Sequence, residues 1–460
     1  NTAEWGGAIF AGQVDADYGL LNIVDCNFIN NTAIIAGGAI EGRFNMNVTN
    51  STFINNTAGN IGGGAINMYI GPNYIKVINS TFASNTATGK GGAIYGRGTG
   101  NIDITNSIFT DNTANSNGGA IFSGGSVTVI DSEFKECNAN SGTDIYANGQ
   151  TVNLICNDYD GKTRYNNTEV VRNGGTYIVS GTFAEVKYRI DNTPTNGVLN
   201  LKNKKYTAEA GESQITISRN IVINGNGAIL DADKRTRIMY INSGLIVTLN
   251  NLTFINGKVT GTQYAGRGGA ISLSATTDSK FNVYNSNFTN NSASIDGGAI
   301  FFASRFDDNS IVNCNFKFNT AGYGGGAIYT GFADSIRSGS LIITNSNFTS
   351  NKASYGAAFC SCMRAIVTNS TFTSNKAGQG GAISAFYVGY MKVFNSTFDS
   401  NNGTDGGAVY SGVEFTGSGL TFTNNIAVTN GGAISSGSSN IAVSNSTFID
   451  NSANNMGGSI

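Results

Sequence analysis

The sequence predicts an all-β chain wound into a parallel β-helix solenoid with coils of 24 to 31 residues. Three observations carry this. Two short phrases recur along most of the chain, alternating apolar residues precede each copy of one of them, and Asn or Gly stands wherever the alternation breaks. Self-similarity at such a period marks solenoids, propellers or arrays.

The first phrase is Gly-Gly-Ala-Ile. Its Ala recurs at Ala8, Ala39, Ala65, Ala93 and Ala120 and again at Ala270, Ala299, Ala327, Ala382, Ala408 and Ala433, with a variant at Ala358. The second is F-x-x-N, at Phe28, Phe53, Phe82, Phe109, Phe288, Phe316, Phe348, Phe372, Phe398, Phe422 and Phe448, with degenerate copies at Phe134 and Phe254. Seven and five places before almost every Phe the residues are apolar: Met46 and Val48, Ile75 and Val77, Ile102 and Ile104, Phe281 and Val283, Leu341 and Ile343, Ile441 and Val443. Period-two alternation reads as a strand with one buried face. Five is odd, so the Phe shares that face only if the chain bends between them. Asn, which best tolerates the left-handed conformation among non-Gly residues, stands at the bend. Asn50, Asn79, Asn106, Asn369, Asn395 and Asn445 are therefore corner residues. The Asn of F-x-x-N reads as a second corner and Gly-Gly as a third, giving three strands per coil. Stacked coils would align Phe53, Phe82 and Phe109, and Phe348, Phe372 and Phe398, into ladders.

Composition agrees. The 460 residues include 64 Asn and 62 Gly but only 2 Pro, as suits a backbone committed to ladders and corners. Hydrophobic content of 40% supplies a core. The net charge of −2 gives no footprint for nucleic acid or an anionic membrane, and no apolar run is long enough to span a bilayer. His is absent, which removes the commonest general base and metal ligand. Asn1 and Ile460 both fall inside a repeat, so the chain reads as a fragment of a longer protein.

The phrases lapse after about Asn138. The expected organisation is a first β-helix segment over 1–160, a β-rich connection over 161–194 and a second β-helix over 195–460, whose opening coils occupy 195–262.

The paired phrases resemble the repeats of chlamydial polymorphic outer-membrane proteins, and the fuller "NSTF…NTA…GGAIY" pattern is similar to adhesin-like surface proteins of methanogenic archaea. The stretch "INGNGAILDADKRTRIMYI" resembles the opening of pectin-lyase-like β-helices. These resemblances imply a right-handed helix displayed at a cell surface. The function they imply is an extracellular adhesive or structural stalk, with a passive filament or envelope subunit and a carbohydrate-active enzyme as alternatives. Implied partners are glycans or surface proteins of other cells, or further copies of the same protein.

Candidate chemistry is sparse. Asp231, Asp233, Lys234, Arg235 and Arg237 form the densest charged cluster and read as a solvated turn; Arg305, Asp307 and Asp308 read as a loop tip. Paired acids at a fixed offset in successive coils, which carbohydrate chemistry would favour, are missing. No catalytic, cofactor-binding or metal-binding residue is assigned, no cofactor is expected, and the chain reads as non-enzymatic. Cys26 and Cys314 replace Ser in the "NSxF" phrase, Cys137 replaces the Asn of F-x-x-N, and Cys360 and Cys362 follow the variant repeat; all read as inert thiols, with a Cys137–Cys156 pairing left open. Sequons at Asn47, Asn55, Asn166, Asn251, Asn287, Asn290, Asn347 and Asn402 agree with an extracellular location, Asn166 and Asn402 being the expected outward ones. The variable stretches 301–310 and 329–339 carry aromatics and charges and are the expected binding loops.

Overall fold

The computed structural model describes residues 1–12, 19–69, 71–159, 169–274, 279–303, 308–331, 339–386, 389–437 and 439–460. They form two compact units, Asn1–Gly181 and Thr182–Ile460.

One coil of the first unit runs through strands Asn45–Thr49, Thr52–Ile54, Thr57–Ala58 and Ile66–Met68. This coil thus has four strands rather than three, the additional one being the two-residue Thr-Ala after F-x-x-N; coils such as Ser340–Ser361 and Arg364–Ala385 keep the expected three, with an isolated bridge at Lys352 and Lys376 in its place. Every pairing is parallel and joins like to like: Met46 to Ile75 to Ile102, Phe53 to Phe82 to Phe109, Thr57 to Thr86 to Thr113, Ile66 to Ile94 to Ile121. The second unit repeats the plan, with Phe316, Phe348, Phe372 and Phe398 in register. Coil-to-coil separation reaches 34 residues between Thr253 and Asn287, longer than the repeat spacing suggests, because the 3-10 turn Gln263–Gly266 is inserted before the next Gly-Gly-Ala-Ile.

The corners explain the composition. Asn50, Asn79, Asn106, Asn369, Asn395 and Asn445 have φ between 46° and 50°. At the next corner the left-handed residue is the one before the phrase's Asn (Asn55, Ser84, Asp111, Ser350). The Asn itself turns inward and is buried. In Gly-Gly-Ala the two glycines serve different ends. Gly63 has φ 68°, whereas a Cβ on Gly64 would lie 1.9 Å from the Gly92 carbonyl oxygen of the next coil. Conformation demands the first and close stacking the second.

Inward Ile, Val, Phe and Ala form a continuous apolar core in each unit. The core of the second unit begins on an α-helix, Phe183–Asp191, where a β connection is expected from the sequence. Phe183, Val186 and Ile190 lie on one helical face and cover apolar residues such as Leu199, Tyr206 and Ile215 that the first coil would otherwise expose. Thr182 caps the helix, and buried Glu185 is held by Arg189 and Lys204, each at 2.7 Å.

Candidate functional site

Three ladders fill the interior. The Phe rings stack face to face, 4.7 to 4.9 Å apart from Phe28 to Phe109 and from Phe254 to Phe448. The Asn of F-x-x-N forms a hydrogen-bonded file: Asn31, Asn56, Asn85 and Asn112 in the first unit, Asn291, Asn319, Asn351, Asn375, Asn401, Asn425 and Asn451 in the second. The Ser of "NSTF" accepts the amide of its predecessor one coil back, as Ser80 does from Ser51 at 3.1 Å. These ladders build the coils. They are buried except in the last coil, where Phe448 and Asn451 are half-buried.

Chemistry available to a partner lies on the outer side of the Gly-Gly-Ala-Ile strands. The Ile points into the core and the following residue to the opposite face, so Phe10, Glu41, Asn67, Tyr95, Phe122 and Tyr146 form one row, of which Phe10 is exposed and Glu41, Asn67, Tyr95 and Phe122 are buried under neighbouring side chains. Two residues on, Arg43, Tyr69 and Arg97 form a second row, tied by their amides to the carbonyls of Ala11, Gly42 and Met68. The Arg43 guanidinium lies 4.4 Å from the centre of the Tyr69 ring and that of Arg97 5.3 Å from it, contacts of cation–π type. Arg43 also approaches Phe10 at 5.5 Å.

Beneath this row Glu41 is 0% exposed. Its Oε2 accepts from Asn67 Nδ2 at 2.6 Å, while Glu41 Oε1, Asn67 Oδ1 and Arg43 Nε have no hydrogen-bond partner among the described residues. Burial pushes the Glu41 carboxyl up to about 7, against the opposing pull of the Asn67 hydrogen bond and of Arg43 and Arg97. Beside the arginine row lies a shallow groove of about 340 Å³, lined by Gly71, Pro72, Arg97, Gly98, Thr99, Gly124 and Asn148. A second groove, of about 510 Å³, lies on the long-strand face over Asn22, Asn47, Tyr74, Lys76 and Asp103.

On the matching strands of the second unit the row that follows the inward Ile is Phe301, Tyr329, Cys360, Ser384 and Tyr410, of which Phe301, Cys360 and Ser384 are buried under neighbouring side chains. Asp296 there is 2% exposed and pairs with Arg267 at 2.9 Å; burial nevertheless raises its carboxyl above the usual range. The Tyr329 hydroxyl lies 3.4 Å from Cys362 Sγ, and burial first, then the nearby thiols, drives that phenol far upward. Phe301 and Phe302 are each 1% exposed, so they are not the outward loop aromatics expected from the sequence. They pack as ladder residues. Residues 304–307 and 332–338 of the two expected binding loops lie outside the described residues.

In the charged cluster at 231–237, Asp233, Lys234 and Arg235 form an exposed turn, while Asp231 and Arg237 are tied to neighbouring coils. Asp231 pairs with Lys205 at 2.6 Å, accepts from Asn256 and caps the Asp233 amide; burial raises its carboxyl, but these donors outweigh burial and hold it low. Asp233 pairs with Arg235 at 2.9 Å. Arg237 is buried and donates to Gln214 Oε1 and to the carbonyls of Gly268, Ala265 and Arg267. It is a staple between coils, not a solvated turn residue. The Asp308 amide donates to Ser340 Oγ, and Arg305 and Asp307 lie outside the described residues.

All six cysteines are thiols. Cys26 Sγ donates to the Val24 carbonyl as Ser51 Oγ does to that of Thr49. Cys137 occupies an Asn-file position, and burial, then the charge of Asp144, pushes its thiol up to about 12. Cys156, with φ 58°, occupies a corner position instead. The two stand at different places in the coil and form no disulfide. Among the sequons, Asn55, Asn251, Asn287, Asn290 and Asn347 are exposed, Asn402 is half-buried in the short strand Asn402–Gly403, and Asn166 lies outside the described residues.

Sequence reasoning passed over Glu41, Arg43, Tyr69 and Arg97. A usable signal existed: the first and third residues after the Ile of Gly-Gly-Ala-Ile are Glu and Arg, then Asn and Tyr, then Tyr and Arg in three successive coils.

With this geometry in view, the comparisons are direct. Residues 299–460 match the family described as right handed beta helix region, and residues 79–97, 106–124 and 285–303 match the chlamydial polymorphic membrane protein repeat. No curated protein and no solved structure matches the chain. The class is thus a right-handed parallel β-helix of repeats. More particularly, it is a β-helical repeat protein whose repeats at those three stretches are similar to those of the chlamydial polymorphic membrane proteins. Among the described residues no helix is long and apolar enough to cross a membrane.

Proposed function

We propose that this chain is a non-enzymatic β-helical stalk displayed outside the cell, which sets a contact surface at a distance and takes part in adhesion between cells or to a surface. The observation that supports it most is the division of labour within each coil. Ser, Phe and Asn ladders commit the inward and corner positions to stacking, so the outward rows are left to vary from coil to coil. A further support is the kind of family whose repeats the chain carries.

The test is binding of the 460-residue chain to whole cells and to a glycan array, with product analysis of each bound glycan. Retention on cells or glycans without cleavage is the expected result. Cleavage of a glycan would replace the stalk by an enzyme. Absence of retention on every surface, together with end-to-end association of the chain, would replace it by a filament subunit.

A further inference from the structure

We propose that Arg43, Tyr69 and Arg97, with the glycine-lined groove beside them, bind an anionic polysaccharide laid along the coil axis. This rests on the adhesive reading above and names the site and ligand class for it.

Neither guanidinium is in an ion pair, although Arg97 also shares a hydrogen bond with the Tyr95 side chain and both are drawn toward the buried Glu41 carboxyl. Ion pairs among the described residues go to Arg189, Lys204, Lys205, Arg219, Arg235 and Arg267 and leave Arg43 and Arg97 without one. Both are instead held in place by the one Tyr69 ring between them. A guanidinium fixed on an aromatic ring keeps its planar donors available and loses little freedom when it grips a carboxylate or sulfate. Arg43 and Arg97 belong to coils on either side of Tyr69. At a coil rise near 4.8 Å their two charges stand roughly 10 Å apart along the axis. Such a spacing suits a polymer with recurring charges better than one compact anion.

The groove fits hydroxyl-rich chains. The turns at Gly71, Gly98 and Gly124 stack backbone on backbone: a Cβ on Gly98 would fall 1.9 Å from the Gly71 carbonyl oxygen, and one on Gly124 2.5 Å from that of Gly98. The shelf therefore offers peptide groups, flanked by the Thr99 hydroxyl and the Asn148 amide. Nucleic acid fits less well. Its bases need open aromatic faces, and Tyr69 is overlaid by a guanidinium from each neighbouring coil.

The experiment is calorimetric titration of the full chain with polygalacturonate, dextran sulfate, neutral dextran and single-stranded DNA, alongside cell adhesion. Binding of either charged glycan, weakened by salt and absent with neutral dextran, is expected. Arg43→Ala/Arg97→Ala should weaken it at least about tenfold with an unchanged melting curve. If that variant does not fold, Arg43→Lys/Arg97→Lys, which keeps charge but loses the fork, should still lose several-fold. Which charged glycan wins separates carboxylate from sulfate recognition. Failure of both charged glycans to bind, undiminished binding by the variants, or tighter binding of DNA overturns the proposal. Cells still retained by the variants would sink this site and leave the stalk; cells ignored by the unmodified chain would sink the stalk.

Discussion

The side-chain nitrogen of Asn56 donates to Oδ1 of Asn85, one coil along, at 2.9 Å. The same Oδ1 accepts the Asn56 backbone N–H at 3.1 Å, and the second amide hydrogen of Asn56 goes to the Phe28 carbonyl at 2.9 Å. Asn31, from the other side, supplies both a backbone and a side-chain N–H to Asn56 Oδ1. Every donor and acceptor of the buried amide is used.

Asn85→Ala should therefore be costly. It leaves two Asn56 donors without partners in the core and removes the side-chain bond to the Phe53 carbonyl. Each buried orphan costs about 1–3 kcal/mol, so a total loss near 3 kcal/mol is expected. A urea midpoint that falls accordingly at constant m-value is the readout, and a shift worth under about 0.5 kcal/mol would show that the file is dispensable.

The exposed corner asparagines should behave oppositely. Asn79 has φ 50° and its side chain makes one exposed contact, to Asn50 at 3.3 Å. Asn79→Gly should leave stability within about 0.5 kcal/mol, whereas Asn79→Val should cost roughly 1–2 kcal/mol because a β-branched residue resists the left-handed region. Equal melting temperatures for the two variants would contradict this.

Glu41 predicts a pH slope. Its carboxyl titrates at about 7 when folded and at the ordinary value of 4.5 when unfolded. Between these values the folded chain keeps a proton that the unfolded chain has released, so stability falls as pH rises through this window and levels above it, by on the order of 3 kcal/mol. Glu41→Gln should remove this part of the slope and raise the melting temperature at pH 8. An unaltered pH profile in the variant would mean that Glu41 is not the titrating group.

The first unit's Asn file ends in a mismatch. Asn112 Nδ2 lies 3.9 Å from Cys137 Sγ, where an amide oxygen would complete the pattern. Cys137→Asn should stabilise the chain by about 1 kcal/mol, the net value of a hydrogen bond, seen as a higher denaturation midpoint. A lower midpoint would show that the pocket around Cys137 is shaped for sulfur.

What could be read in the sequence follows from how periodic each feature is. The Phe ladder and the Asn50-type corners recur with fixed neighbours, so one coil instructs the next. Thr57–Ala58 is too short to display alternation, which is why a three-strand coil was the natural reading. Asn56 and Asn50 look alike in the sequence, yet one is 0% exposed and the other is an exposed corner; only the φ of Asn55 separates them. The helix at Phe183–Asp191 was legible in the spacing of Phe183, Val186 and Ile190, but the alternation in "VKYRI" competes with it. Glu41 and Arg43 stayed hidden because the outward row changes identity from coil to coil.

The Asn file also has a mechanical meaning. Its bonds, like those of the strands, run from coil to coil, so tension applied to the two ends of a unit pulls on coil interfaces one after another instead of on all together. A coil that peels away exchanges a rise of one strand spacing, about 5 Å, for on the order of 80–100 Å of extended chain. The next interface remains closed while this slack is drawn out. A unit built this way yields in steps and dissipates work at each one.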